Sequence, residues 1–149
     1  MSIKKISAMA IAGLLTVGAV SAFAQEAFVA PTSPDEAVTM RQALMKEDGG
    51  ILKGSADLTG DAAVTALQTI LTNYTHIPAL FPEGSIVGNS KALPAIWQNW
   101  DGFNAILESG KTAATAGIAA AQAGDAAGYA AALKSLGGTC GQCHEAFRG

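Results

Sequence analysis

From residue 34 onwards, apolar residues recur at intervals of three and four, the spacing that places side chains on one face of an α-helix. Four segments share this pattern. Their stripes are Ala37, Met40, Leu44 and Met45; Val64, Leu67, Leu71 and Tyr74; Ile96, Trp97, Trp100, Phe103 and Leu107; and Tyr129, Leu133, Leu136, Cys140, Cys143 and Phe147. No alternating run of β-branched residues competes with it. The pattern predicts an all-α protein, an antiparallel four-helix bundle.

Capping residues place the ends of the first two helices. Ser33–Glu36 combines an N-cap serine, a proline at the first helical position and a glutamate three residues after the cap. The first helix should therefore begin near Pro34, and its pattern continues to about Lys53. Thr59 or Asp61 can cap the second helix, which should end before Pro78.

A loop rich in Pro, Gly and Ser follows at 78–90. The third helix is predicted to begin at 92–94 and to continue through an Ala- and Gly-rich tract to Ala123. Gly124 then reads as a helix-terminating glycine and Asp125 as the N-cap of the fourth helix. Between residues 113 and 133 the only charged side chain is Asp125, which allows two helices to approach closely there.

Residues 1–24 have the three parts of a secretory signal. Lys4 and Lys5 form a basic start, residues 6–20 are largely apolar, and Ala22-Phe23-Ala24 is an A-x-A cleavage site. A retained membrane anchor is the alternative, but the apolar run is short for a span and contains Ser and Gly. We expect cleavage that releases a single domain at 25–149 into a bacterial periplasm, without stable membrane insertion.

The net charge of the chain limits the classes of partner that we expect. The chain has nine Lys and Arg against twelve Asp and Glu, a net charge of −3, and loss of Lys4 and Lys5 with the signal lowers it to −5. Because no basic run occurs anywhere, we do not expect a nucleic-acid partner. An acidic protein is expected to dock onto a more basic one.

Three of the four Cys and His residues lie together in Cys140-Gly141-Gln142-Cys143-His144. This is the attachment signature for c-type haem. On a helix, two cysteines three positions apart share a side and the histidine follows within a turn, so two thioethers and one iron ligand can serve one porphyrin. A redox dithiol and half of a zinc site are the alternatives. The first is typical of an α/β pattern, and the second needs further ligands.

The position of the motif limits the second iron ligand. Only five residues follow His144. A ligand on the opposite side of the haem must therefore come from upstream, where Met40, Met45 and His76 are the candidates.

Several stretches beyond the motif resemble class II c-type cytochromes, the cytochrome c prime family with its low-spin relatives. They are residues 41–46, 80–82, 95–97 with Phe103, 123–125 and 136–148. The resemblance implies one haem c, attached near the C-terminus of the last helix of an exported four-helix bundle. It also favours a homodimer through the first two helices. The connection at 53–61, shorter than is usual in the family, argues against that dimer.

The resemblance assigns roles to Met45 and Arg41, and the positions of Phe147 and Arg148 shortly after His144 suggest two more. Met45 should lie over the haem on the side opposite His144, where it either binds the iron or covers it without binding. The local sequence Leu44-Met45-Lys46 favours binding. Arg41, one turn earlier, should reach a haem propionate, although a solvated charge is the alternative. Phe147 should pack on the imidazole side of the haem, although it could simply fill the core. Arg148 should pair with a propionate or border that side, although a favourable charge at the end of the helix would also explain it.

Two functions remain open. A methionine-bound iron suits an electron carrier that docks onto a redox partner protein. A five-coordinate, high-spin iron suits capture of nitric oxide or carbon monoxide. An enzyme is not expected, because no paired carboxylates or second histidine form an evident acid–base group beside the motif.

Overall fold

The computed structural model describes residues 27–149, so the predicted signal at 1–24 lies outside the described residues. The helices are α1 (Pro34–Gly54), α2 (Gly60–His76), α3 (Ala95–Gln98), α4 (Trp100–Ala123) and α5 (Ala126–Phe147), with a 3-10 turn at Ile77–Leu80. The four long helices, α1, α2, α4 and α5, form an antiparallel bundle. The predicted all-α fold is confirmed.

Three helix ends are fixed as the sequence predicts, two by side-chain caps and one by a glycine. The hydroxyl of Ser33 accepts a hydrogen bond from the backbone N–H of Glu36 at 3.2 Å, and Asp125 accepts one from Gly128 at 2.9 Å. Gly124 ends α4 with φ at +68°, a left-handed conformation that favours glycine. Thr59 occupies the N-cap of α2 without a side-chain hydrogen bond.

The predicted third helix is divided in two at Asn99. Its backbone leaves the helical region, with φ −134° and ψ 56°, and its side chain accepts a hydrogen bond from Gly102 N–H at 3.1 Å. Asparagine competes with the helix by bonding nearby backbone groups, so it favours a cap over a helix interior. The single turn α3 therefore precedes a separately capped α4, and the prediction of one continuous helix from 92–94 is wrong.

Small residues bring α4 close to α2 and α5. An added Cβ at Gly110 would lie 2.0 Å from Cε1 of Tyr74, and one at Gly117 would lie 2.5 Å from Cδ1 of Leu67 and 3.0 Å from Ala132. The core around this contact includes Leu67, Phe103 and Leu136. Within residues 27–149, no helix is long and apolar enough to cross a membrane.

Candidate haem site

A cleft of about 390 Å³ lies at one end of the bundle, bounded by α1, α5 and the chain from Phe81 to Phe103. Its apolar wall is formed by Met45, Phe81, Ile96, Phe103 and Phe147. Phe103 packs edge-on against Phe147, with ring centroids 5.5 Å apart, and against Phe81 at 5.1 Å. Phe103 therefore joins the other two rings by edge-to-face packing into one apolar wall, which suits a flat apolar group.

Cys143 and His144 of α5 line the same cleft. Cys140 lies three positions earlier on α5 and is half-buried, with its sulfur 3.5 Å from the hydroxyl of Tyr74. No disulfide joins the two cysteines. One helix thus presents two sulfurs and one imidazole within five residues, as the spacing predicts.

The environment of these groups suits attachment better than thiol redox chemistry. Burial, with a smaller contribution from Cys140, raises the pKa of the Cys143 thiol to about 11. A reactive dithiol needs a lowered pKa, because the thiolate is the nucleophile. Partial burial and then the charge of Arg148 lower the pKa of His144. The imidazole is therefore held neutral, the form that binds a metal.

Of the three upstream candidates for the second iron ligand, only Met45 lines the cleft. Met40 is half-buried one turn earlier on α1 and is not part of the wall. His76 lies at the end of α2, where its ring stacks on Phe28 with centroids 4.0 Å apart. The structure thus brings Met45 and His144 together and leaves Met40 and His76 outside.

Arg41 also lines the cleft, but most of its hydrogen bonds go to the loop at 80–90. Nη1 donates to the carbonyl of Leu80 at 3.0 Å and to the hydroxyl of Ser85 at 2.8 Å. Nη2 donates to the carbonyl of Ser85 and to the hydroxyl of Ser90. The guanidinium carbon also lies 4.6 Å from the centroid of the Phe81 ring. Four of the five N–H donors are thus committed to this loop, which leaves one, on Nε, for another acceptor.

The end of α5 is joined to the chain before α3. The carbonyl of Phe147 accepts from Leu93 N–H at 3.0 Å, and Gly149 N–H donates to the carbonyl of Lys91 at 2.9 Å. Ala92 and Arg148 form a single antiparallel bridge between these bonds. Phe147 is buried and Arg148 is exposed, and both line the cleft.

Sequence reasoning missed three polar residues of the cleft, Gln42, Lys46 and Lys91. Because Lys46 follows Met45 directly on the first helix, the sequence could have indicated that it lies beside the cleft. Lys91 enters through the pairing of residues 91–93 with the end of α5, which no sequence spacing shows.

The cleft fits a haem by its chemistry. It combines an aromatic and aliphatic wall, a neutral imidazole, the thiol of Cys143 and cationic side chains that suit carboxylates, and Cys140 lies on the same helix three positions before Cys143. Among the described residues, no group of three or more Cys, His, Asp or Glu side chains could hold a metal ion. The donors present therefore match a porphyrin iron, which needs only axial ligands, better than the predicted alternative of a zinc site.

A profile of the Cytochrome C' family matches residues 34–148, which include all five helices and the Cys-x-x-Cys-His motif. The chain belongs to this family of c-type cytochromes, and it carries covalently bound haem c.

Individual relatives cover between 79% and 99% of the chain. A cytochrome c-556 of Agrobacterium fabrum is 37% identical over 155 residues, covering 99% of this chain and 97% of the relative. The crystal structure of cytochrome c' from Thermochromatium tepidum matches with a TM-score of 0.71 at 26% identity, covering 79% of this chain and 98% of that one. A nitrosyl complex of a variant cytochrome c prime from Alcaligenes xylosoxidans matches with a TM-score of 0.67 at 26% identity, over 79% and 98%.

Proposed function

We propose that the protein transfers electrons through a haem attached to Cys140 and Cys143, whose iron would be bound by His144 and Met45. The observation that carries this proposal is the place of Met45. It is the only one of three upstream candidates to line the cleft that also contains His144. The similarity to the cytochrome c-556 of Agrobacterium fabrum adds support, because the two proteins align over nearly their full lengths.

The haem supplies a one-electron couple when it is bound. His144 contributes a neutral nitrogen, since partial burial and Arg148 lower its pKa. Met45 contributes a thioether, a ligand that raises the reduction potential and closes the site to small molecules. Phe103 and Phe147 exclude water from the apolar wall, and low solvent exposure limits reorganisation around a changing charge.

The cationic residues of the cleft are proposed to hold the carboxylates of the cofactor. Arg41 keeps only its Nε donor for this purpose, because its other four donors bind the loop at 80–90. Arg148 is exposed and four residues after His144, so its whole guanidinium is available. We therefore assign the larger share of propionate binding to Arg148.

A second function, capture of nitric oxide or carbon monoxide, is supported by the nitrosyl complex of the Alcaligenes xylosoxidans relative. Here Met45 would fill the cleft without binding the iron. Methionine packs readily against aromatic rings, so its position in the wall suits this role as well. The two functions differ only in whether the sulfur of Met45 is a ligand.

Absorption spectra of the oxidised and reduced holoprotein, with and without CO, test the proposal. We expect low-spin bands and no shift with CO. Met45→Ala should become high-spin and bind CO, whereas the matched control Met40→Ala, from the same helix but outside the cleft, should keep the parent spectrum. High-spin bands and a CO adduct in the parent protein would establish the second function instead.

The proposal extends to the cellular location and the oligomeric state of the protein. We propose a periplasmic protein, since the first 24 residues have the composition of an export signal and c-type cytochromes are usually exported. A homodimer through α1 and α2 would follow the family pattern. The connection between these helices spans only residues 55–59, and sedimentation of the holoprotein would distinguish monomer from dimer.

A further inference from the structure

One buried carboxyl group has no part in the haem site described above. Asp48 of α1 is 7% exposed, whereas every other Asp and Glu among residues 27–149 is exposed. Its Oδ1 accepts a hydrogen bond from the amide of Asn73 at 2.7 Å, and its Oδ2 has no partner. Burial disfavours a charged group, and an unpaired acceptor adds to the cost. Asp48 therefore binds a proton more readily than an exposed aspartate does.

The titratable groups around Asp48 come from three helices. On α1, the exposed carboxylate of Glu47 accepts from the same Asn73 nitrogen at 3.0 Å. On α2, Tyr74 follows Asn73, and its pKa is raised by burial and, in smaller part, by the charges of Cys140 and Asp48. On α5, the sulfur of Cys140 lies 3.5 Å from the Tyr74 hydroxyl. None of these groups is a cation, so none of them compensates a negative charge on Asp48.

Asp48 is also connected to the haem-bearing part of the bundle. Its charge acts on Tyr74, whose hydroxyl contacts Cys140, one of the two residues of the attachment motif. Along α1, Asp48 follows Met45 of the cleft wall by three positions, which is about 4.5 Å along the helix axis. Charges that are buried are only weakly screened by solvent. A change in the charge of the iron therefore changes the relative stability of the two protonation states of Asp48.

We propose that Asp48 is a proton-binding site linked to the haem, which takes up a proton from solvent when the iron is reduced and releases it when the iron is oxidised. The electron comes from an external one-electron reductant, and the proton converts the carboxylate into the carboxylic acid. Ferric iron carries one more positive charge than ferrous iron, so it favours the carboxylate. The inference rests on the bound haem and applies whether that haem transfers electrons or binds a gas.

The reduction potential should then depend on pH. Burial raises the pKa of Asp48 to about 6, the bond from Asn73 opposes this rise, and the charge of Glu47 adds to it. At low pH Asp48 is neutral with either form of the iron. At high pH it is a carboxylate with either form, and its charge stabilises the ferric state. The potential should therefore fall as pH rises through about 6 and level off on both sides.

Potentiometric titration of the holoprotein between pH 4.5 and 8 tests this linkage. In the parent, the equilibrium constant for reduction should fall about three- to tenfold, at most about 59 mV for one electron. Asp48→Asn should lose the fall, because the amide does not titrate. Asp57→Asn makes the same chemical change at an exposed carboxylate and should keep the parent profile. A flat parent profile, or an equal fall in Asp48→Asn, would overturn the proposal.

Two variants on α2 test whether Asp48 is the titrating group. Asn73→Leu removes the hydrogen bond that lowers the pKa of Asp48, so the fall in potential should move to higher pH. His76→Gln removes a histidine three positions later, whose ring stacks on Phe28. Histidines ordinarily change charge between pH 5 and 8, but this variant should keep the parent profile. Loss of the fall in His76→Gln, or an unmoved fall in Asn73→Leu, would contradict the assignment to Asp48.

Infrared difference spectra detect the proton without measuring a potential. Reduced-minus-oxidised spectra at pH 6 should gain the C=O band of a protonated carboxylic acid, which Asp48→Asn removes and Asp57→Asn keeps. The spin state and the response to CO decide the proposed function separately. A high-spin parent with an Asp48-dependent fall in potential would overturn electron transfer and support the proton site. A low-spin parent without that fall would overturn the proton site alone.

Discussion

The hydroxyl of Tyr74 lies 3.0 Å from Oγ1 of Thr139 and joins α2 to α5 one turn before His144. Thr139 uses its own hydrogen to donate to the carbonyl of Leu136 at 2.8 Å. Tyr74 must therefore donate to Thr139, because a threonine hydroxyl has one hydrogen. Burial raises the pKa of Tyr74, so this donor stays protonated. The bond anchors the helix that carries the Cys-x-x-Cys-His motif.

Tyr74→Phe should lower the free energy of unfolding of the holoprotein by about 1 kcal/mol, since it removes one buried hydrogen bond and keeps the ring that packs against Gly110. Urea denaturation followed by circular dichroism measures the change. Thr139→Val in the Tyr74→Phe background should then add less than Thr139→Val alone. Additive effects of the two substitutions would show that the hydroxyls are not coupled.

Gly110→Ala should destabilise the bundle by about 1–3 kcal/mol, because the added methyl group would overlap the ring of Tyr74. Gly50→Ala is the matched comparison within α1, where nothing lies within 4 Å of the added carbon. That change should instead stabilise by about 0.5–1 kcal/mol through helix propensity. Thermal unfolding of both variants reports the sign, and a loss of stability in Gly50→Ala would be contrary to this packing.

Asp48 should make the holoprotein less stable as pH rises. It is 7% exposed, Asn73 donates to Oδ1 at 2.7 Å, and Oδ2 has no partner. Burial raises its pKa from 3.8 to about 6, so the folded state binds this proton more tightly than the unfolded chain. The stabilisation is complete below about pH 4 and is lost as pH rises through about 6.

Asp48→Asn should remove that loss and stabilise the protein at pH 7 by about 2 kcal/mol relative to the parent. Urea denaturation at pH 4.5, 6 and 8 measures the trend. Asp57→Asn is the control, because it makes the same chemical change at an exposed carboxylate between α1 and α2. If Asp48→Asn has the same pH profile as the parent, the carboxyl group is not responsible.

Arg41→Ala should lower the free energy of unfolding by about 3 kcal/mol. Arg41 is 4% exposed, and its loss leaves the buried hydroxyl of Ser85 and the carbonyl of Leu80 without this donor. Arg41→Lys keeps the charge but not the planar fork, so it should recover only part of the stability. Full recovery by lysine, measured by urea denaturation, would mean that charge alone matters.

Local signals in the sequence predicted most of the fold. The start of α1, the boundary at Gly124 and the stripe of α5 follow from capping residues and helical period, which depend on neighbours within four positions. The break at Asn99 is also local, but asparagine within an apolar stripe gives no unique signal. Its side-chain bond to Gly102 is visible only in the structure.

The candidate site was predicted less completely, for a physical reason. Cys140, Cys143 and His144 share one helix, so their spacing revealed them. Arg41 was expected to serve a propionate, yet its main partner, Ser85, lies 44 positions away in the loop. Lys91 reaches the cleft through a backbone bond to Gly149. Contacts of this range depend on how the loops pack, which no periodicity encodes.

The bonds of Arg41 have a consequence for Met45, which lies one turn further along α1. A shift of the helix by one residue moves it about 1.5 Å along its axis. Such a slide would break hydrogen bonds to Leu80, Ser85 and Ser90 together. The bonds between Arg41 and the loop at 80–90 therefore fix the position of α1 along its axis, and with it how far the sulfur of Met45 reaches into the cleft. Under the proposed ligation, the spin state of the iron would be adjustable from Ser85, a residue outside the cleft wall.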